Sequence, residues 1–324
     1  MKKQRILVTG GAGFIGSHLV GELLKHECEV VVLDNFATGK RGNLKPFESN
    51  PLFRLIEGDI RDFAICRTAV AGCGAVLHEA ALGSVPRSME NPQHSLEVNT
   101  QGFCNVIEAA RQAGVKRFVF ASSSSVYGDD PRLPKVEENV GRVLSPYALS
   151  KKMNEETAEL YGRVFGMETI GLRYFNVFGS RQDPAGAYAA VVPKFAMSLI
   201  RHETPRIHGD GSNSRDFTYI DNVVQANFLA LEVAAPEAVN QIYNVAFGER
   251  TNLNELFDAM RSALAIFDPA IAEIGVCHGV PRPGDIPHSL ADIGKAQNLL
   301  KYAPQIDLRH GLKQTAQWYY GNLK

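Results

Sequence analysis

Thr9-Gly10-Gly11-Ala12-Gly13-Phe14-Ile15-Gly16 follows the apolar run Ile6-Leu7-Val8 and opens a helix-period segment from Phe14 to Lys25. Glycines at these spacings permit a tight turn, a close backbone approach to a pyrophosphate and tight helix packing, while the helix N-terminus adds amide donors and a positive dipole. A glycine motif by itself can be only a turn, so its surroundings decide. Asp34 closes the next apolar run, Val30-Val31-Val32-Leu33, 18 residues beyond Gly16. A carboxylate there binds adenosine ribose hydroxyls and repels a 2′-phosphate, which favours NAD over NADP. Lys40 and Arg41 keep an NADP reading open unless they belong to a solvated loop. Asp59, after the third run Phe53-Arg54-Leu55-Ile56, is placed to accept from the adenine amino group, or else to cap a helix beginning near Asp62.

Outward from this start, β-branched runs keep alternating with helical periodicity. Ala75-Val76-Leu77, Phe118-Val119-Phe120-Ala121 and Thr169-Ile170-Gly171-Leu172 are the further strands, and Asn99 to Ala113 and Pro146 to Val164 the further helices. The pattern predicts an α/β fold, a Rossmann-type doubly wound parallel sheet over residues 1–175, with a smaller mixed α/β substrate-binding lobe over 176–324. A helix from Asn222 to Ala234 and a strand from Ile242 to Val245 let about 217–245 rejoin the first domain. Asn176 to Asp221 reads as loop-rich. Helices are expected over Leu253 to Phe267, Asp292 to Tyr302 and Leu308 to Tyr320, with a proline-rich segment from Val280 to Pro287.

Composition narrows the classes. The 324 residues are 45% hydrophobic, with 34 basic against 35 acidic side chains and a net charge of −1. Disorder is excluded, and no basic excess points to a nucleic-acid partner; an anionic partner must be met by a few placed cations. The cysteines Cys28, Cys66, Cys73, Cys104 and Cys277 form no C-x-x-C and read as reduced thiols, and no metal-ligand spacing appears among the histidines. No run reaches the roughly 18 apolar residues of a membrane helix. Met1 to Val8 has the basic-then-apolar start of a signal peptide, but the glycines interrupt it, so a cytoplasmic protein without a membrane partner is expected.

The chemistry is carried by Ser145-Pro146-Tyr147-Ala148-Leu149-Ser150-Lys151. Ser145 can cap and Pro146 can take the first helical position, which puts Tyr147 and Lys151 at i and i+4 on one face. An ammonium beside a phenol, together with an oxidised nicotinamide, favours phenolate and makes Tyr147 a base. Ser122-Ser123-Ser124-Ser125 follows the fifth strand. A hydroxyl there can share a proton with a substrate alcohol, although such a run is also a turn.

These motifs, with Ser122-Ser123-Ser124-Ser125-Val126-Tyr127-Gly128, Arg173-Tyr174-Phe175-Asn176-Val177-Phe178-Gly179 and Arg282-Pro283-Gly284-Asp285, resemble the extended short-chain dehydrogenase/reductases that act on nucleotide sugars, over nearly the whole chain. Through Ala80-Ala81-Leu82-Gly83-Ser84-Val85-Pro86-Arg87-Ser88 and His288-Ser289-Leu290-Ala291-Asp292 the chain most resembles the UDP-N-acetylhexosamine 4-epimerases of bacterial surface-polysaccharide pathways. The resemblance implies a homodimer, joined through the helices from Asn99 and Pro146, with bound NAD. It implies Ser123, Tyr147 and Lys151 as the catalytic groups, with Ser124 assisting or replacing Ser123. To the cofactor it assigns Gly10, Gly13, Phe14, Ile15, Gly16, Asp34, Asn35, Thr38, Gly39, Asp59, Ile60, Ala80, Ala81, Asn99 and Tyr174, beside Tyr147 and Lys151.

For a UDP-sugar the resemblance implies Asn176 at the phosphates, Ala190, Val191 and Val192 beside the uracil, and Arg215 and Arg282 on the diphosphate. Asp285 would hold the ribose; Gly83, Ser84, Ser123, Ser124, Ser125, Tyr147 and Ile207 also line this site. A surface ion pair with Asp216 or Asp285 is the alternative for the two arginines. Ser289 stands four residues after Asp285, where relatives restricted to plain hexoses have a bulky aromatic; the small side chain makes room for a C2 acetamido group, or is an ordinary loop serine. Dehydratases of this fold carry an Asp-Glu pair, and decarboxylases a Glu, just after the catalytic hydroxyl, where this chain has Ser124 and Ser125. A uronate-acting epimerase, needing a cation such as Arg87 or His208 for its carboxylate, a UDP-glucose/galactose epimerase, and an NAD-sensing protein without turnover are the rival readings.

Overall fold

The computed structural model describes residues 3–186, 189–281 and 286–323. Seven parallel strands form the main sheet: β1 (Arg5–Thr9), β2 (Glu29–Asp34), β3 (Phe53–Glu57), β4 (Ala75–His78), β5 (Arg117–Ser123), β6 (Glu168–Tyr174) and β7 (Gln241–Val245). Their order is β7-β6-β5-β4-β1-β2-β3. The order reverses between β1 and β4, which leaves a crevice at the carboxyl ends of these strands, where open α/β sheets take their ligands. The inner strands are apolar runs because helices cover both faces and bury both sides of them, whereas β3, at the sheet edge, stays partly exposed.

The helices that position the site are α1 (Phe14–Lys25), α2 (Phe63–Val70), α3 (Val85–Glu90), α4 (Gly102–Gln112), α5 (Pro146–Phe165), α6 (Val191–Ile200) and α7 (Ile220–Glu232). α5 begins as its sequence dictates. The Ser145 hydroxyl accepts from the Ala148 amide at 3.1 Å, Pro146 occupies the first turn, and Gly166 ends the helix in the left-handed conformation. Strand β7, from the second half of the chain, extends the sheet beside β6 with Asn244 opposite Arg173.

Two expectations need correction. The stretch from Asn176 to Asp221 is not only loop: its apolar segment Val191–Ile200 is helix α6, with Val192, Phe195, Ala196 and Leu199 buried. The helix expected over Asp292 to Tyr302 is shorter. Asp292 accepts from the Gly294 amide at 2.7 Å, so helical turns start only beyond it, and Lys301 at φ +61° ends them.

Candidate active site

A cleft of about 510 Å³ runs across the carboxyl edge of the sheet. Its wall takes Asp59 from the end of β3, Asp34 from β2, Gly10, Gly13, Phe14, Ile15 and Gly16 from the β1–α1 turn, and Asn35, Thr38 and Gly39 from the loop after β2. It continues with Ala80, Ala81 and Gly83 after β4, Ser123 from β5, Tyr174 from β6, and Ile60, Tyr147, Lys151, Asn176 and Ala190. The glycine turn and the Tyr147–Lys151 pair therefore open on one cavity.

The glycine turn fits a dinucleotide phosphate. Gly10 has φ +69°, and a Cβ there would stand 2.7 Å from the Ala80 nitrogen; a Cβ on Gly16 would stand 2.2 Å from the Gly10 carbonyl oxygen. Gly13 caps α1 with no side-chain hydrogen bond, so the first amides of a twelve-residue helix keep their capacity to meet an anion. Asp34 accepts from the Ala12 amide at 2.9 Å and the Phe36 amide at 2.8 Å, which fixes the carboxylate against the turn.

Asp59 does not cap a helix; Asp62 caps α2 by accepting from Ala64 and Ile65. Asp59 instead accepts from the Arg61 guanidinium at 3.0 and 2.8 Å and from Asn35 at 2.9 Å, and Arg61 holds its carboxyl down at about 2. Lys40 and Arg41 both have carboxylate partners, Asp183 at 2.7 Å and Glu57, and Arg41 also lies over Phe36 at 4.1 Å.

The serine run is sorted by its neighbours. Ser122 is buried and donates to Glu155, which makes a two-point pair with Arg173 at 2.8 Å on both oxygens. Ser123 faces the cleft and is the hydrogen-bond partner of the Tyr147 hydroxyl. Ser124 opens a short turn through Tyr127, and the Ser125 hydroxyl oxygen is buried with no partner among the described residues.

Tyr147 is tied at its backbone, where its amide donates to the Ser88 hydroxyl of α3 at 3.1 Å. Lys151 is buried, with its ammonium 5.9 Å from the Tyr147 ring centre and donating to the Ala121 carbonyl at 2.8 Å. Burial lowers it to about 8, against the pull of Glu79 and Glu155. The surroundings of Tyr147 act on its phenol in both directions. Burial raises the phenol and Glu79 adds to this, while the Ser123 hydrogen bond lowers it; the protein alone opposes phenolate, because desolvation outweighs the neighbouring hydroxyl.

Other expected residues fall differently. Asn99 is fully buried and does not line the cleft; its amide accepts from Leu82 at 2.7 Å and donates to the Leu82 carbonyl and the Ser150 hydroxyl. It fixes the loop after β4 from behind. Ser84, Ser124, Ser125, Val191, Val192, Ile207, Arg215 and Ser289 are not part of the cleft's lining among the described residues. The Ser84 hydroxyl caps α3. Val192 and Ile207 bury their side chains in the core, so only their backbone groups remain for a ligand.

Arg215 does not pair with Asp216. It donates to the carbonyls of Ser214 at 2.9 Å and Pro287 at 3.1 Å, while buried Asp216 accepts from the amides of Phe247, Gly248 and Ala291. Ser289 is anchored by its amide to the Ser214 carbonyl at 3.0 Å. Arg282 and Asp285 lie outside the described residues.

Sequence reading missed Glu79, Arg61, His94, Val98 and Gln182, all in the cleft wall. An acidic residue directly after the apolar strand Ala75–His78 was the available signal for Glu79, and Arg61 two residues beyond Asp59 the signal for Arg61. Gln182 had none.

Known proteins are similar to this chain in sequence and in fold. Residues 6–246 match the NAD dependent epimerase/dehydratase family, and the chain belongs to that family. A relative from Mycolicibacterium smegmatis, a UDP-glucose 4-epimerase, is 35% identical over 97% of this chain and 98% of its own length. A UDP-N-acetylglucosamine 4-epimerase from Methanobrevibacter ruminantium, solved with UDP-N-acetylmuramic acid, superposes with a TM-score of 0.92 at 36% identity, covering 99% of both chains. The UDP-glucose 4-epimerase of Thermotoga maritima, solved with UDP-glucose, gives 0.91 at 34% identity, over 99% of this chain and 100% of the other. Among the described residues no helix is long and apolar enough to cross a membrane.

Proposed function

We propose that the protein is a UDP-N-acetylglucosamine/UDP-N-acetylgalactosamine 4-epimerase serving surface-polysaccharide precursor synthesis. The observation that carries the reading is the joining, in one cleft, of a dinucleotide cradle with Ser123, Tyr147 and Lys151. The bound cofactor supplies a reversible two-electron acceptor at the sugar's C4. Tyr147, as phenolate, takes the C4 hydroxyl proton with Ser123 sharing it, and Lys151 supplies the positive charge that phenolate needs. Because burial works against phenolate, Tyr147 is active as a base only with both Lys151 and the cationic ring of the oxidised cofactor beside it. The 4-keto sugar turns about its diphosphate linkage so that the opposite face of C4 would take the hydride back from the reduced cofactor, while Tyr147, with Ser123, returns the proton to the C4 oxygen.

Ser124 and Ser125, standing where a dehydratase has acids, leave no group beside Ser123 to expel a sugar hydroxyl. The N-acetyl preference rests on Ser289, a small side chain whose backbone is pinned to Ser214 beside Arg215. Arg215, Arg282 and Asn176 would meet the diphosphate, Asp285 the ribose, and the backbone of Ala190 to Val192 the uracil. The active unit is a homodimer. Support for it is the apolar stripe of α5, where Leu149, Met153, Leu160 and Val164 recur at helical spacing and stay exposed.

The test is to add UDP-sugars to the purified protein and follow the near-ultraviolet absorbance of reduced cofactor. Sugar-dependent reduction is expected; a protein that binds UDP-sugars with neither reduction nor product is a sensor, not an enzyme.

A further inference from the structure

Glu79 is the first residue after β4, between the glycine turn of β1 and the serine run of β5. The strand order fixes what this place means. With Asp34 and Asp59 receiving adenosine at β2 and β3, and the glycine turn receiving pyrophosphate at β1, the remaining half of a dinucleotide must cross β4 to reach Ser123 at the end of β5 and Tyr147 on α5. Glu79 lines the cleft at that crossing.

Its carboxylate is held there. Oε1 accepts from the Tyr174 hydroxyl at 2.9 Å, and that hydroxyl in turn accepts from the Asn227 amide of α7 at 2.8 Å. The Glu79 amide donates to the Thr9 carbonyl at 3.2 Å. The charged or titratable groups facing it are Lys151 and Tyr147 from α5 and Tyr174 from β6. Among the described residues no arginine or lysine makes a direct ion pair with it; Lys151 acts on it only across a distance, so the carboxylate still faces the cleft without a salt-bridge partner.

We propose that Glu79 biases the bound cofactor toward its oxidised form, by placing a carboxylate beside the ring that is cationic when oxidised and neutral when reduced. The proposal rests on the NAD-dependent reading above. It gives the residue a purpose in a reaction whose cofactor must be oxidised at the start of each turnover: a site that favours the oxidised ring resists being stranded in the reduced state when a keto sugar escapes. Burial lifts the Glu79 carboxyl to about 7, with Tyr174 and Lys151 pulling the other way. The bias therefore weakens as pH falls through about 7 and the charge is lost.

Glu79→Gln keeps an acceptor for Tyr174 and removes only the charge; Glu79→Asp keeps the charge. Each holoprotein is equilibrated with an equimolar excess of oxidised and reduced NAD, freed of unbound nucleotide and denatured, and the released ratio of oxidised to reduced NAD is read. At pH near 8, above the Glu79 value of about 7, Glu79→Gln should shift this ratio about tenfold toward the reduced form. Glu79→Asp should stay nearer the wild type. The wild-type ratio should also fall as pH drops through about 7, where the Gln variant is flat. Equal ratios in wild type and Gln variant overturn the proposal while leaving the enzyme reading intact. Failure of the wild type to retain either dinucleotide overturns both.

Discussion

The Ser122 hydroxyl donates to the buried carboxylate of Glu155, one helical turn beyond Lys151. Because successive strand residues alternate faces, committing Ser122 to the core turns Ser123 toward Tyr147. Ser122 and Ser123 both reach the cleft wall, but with the Ser122 hydroxyl committed to Glu155 it is the Ser123 hydroxyl that meets Tyr147.

Two substitutions separate the roles. Ser123→Ala should lower kcat by about 100-fold or more while NAD binding persists. Ser122→Ala should leave turnover within a few-fold and cost about 1–2 kcal/mol of stability, since Glu155 loses a buried donor. Steady-state rates and chemical denaturation read both, and the reverse pattern would move the reactive hydroxyl to Ser122.

Lys151 provides a pH signature. Burial lowers its ammonium from 10.5 to about 8, so its charge is present below that value and lost as pH rises through it. Turnover supported by this cation should fall on the alkaline side of about 8. In Lys151→Arg, whose guanidinium stays charged, the residual activity should lack that limb. A limb unchanged in the variant assigns it to another group.

In the proposed reading, Ser289 sets the sugar preference. Ser289→Tyr should reduce turnover of UDP-N-acetylglucosamine by about 100-fold, because the ring fills the space of the acetamido group, and leave UDP-galactose within about threefold. Comparison of kcat/KM for the two sugars checks it; undiminished N-acetyl turnover removes Ser289 from the pocket.

The exposed stripe on α5 predicts association. Leu160 is 43% exposed, and Leu160→Glu should convert a dimer to monomer in light scattering by burying a charge in an apolar contact. A wild-type chain that is monomeric at micromolar concentration contradicts the homodimer.

Much of the fold and of the site is legible in the amino-acid sequence. The glycine turn and the period of the following residues set α1 at Phe14–Lys25, and the Ser145-Pro146 pair sets the start of α5. These signals are local, made by caps and backbone sterics. What escapes a sequence reading is long-range. Helix α6 carries Pro193 in its first turn and follows a glycine- and proline-rich stretch, so its apolar face shows only once the core behind it exists. The commitment of Asn99 to Leu82 and Ser150 joins residues far apart in the chain. The upward shift of Tyr147 depends on burial, which no i,i+4 spacing reports.

The central claim is C4 inversion of an N-acetylated UDP-hexose. Proton NMR of the purified protein with UDP-N-acetylglucosamine, with no cofactor beyond what it carries, should show the C4 epimer UDP-N-acetylgalactosamine accumulating to a steady mixture, and the same mixture approached from the other epimer. Absence of C4 inversion with this pair, while another UDP-sugar is inverted or dehydrated, would contradict the account.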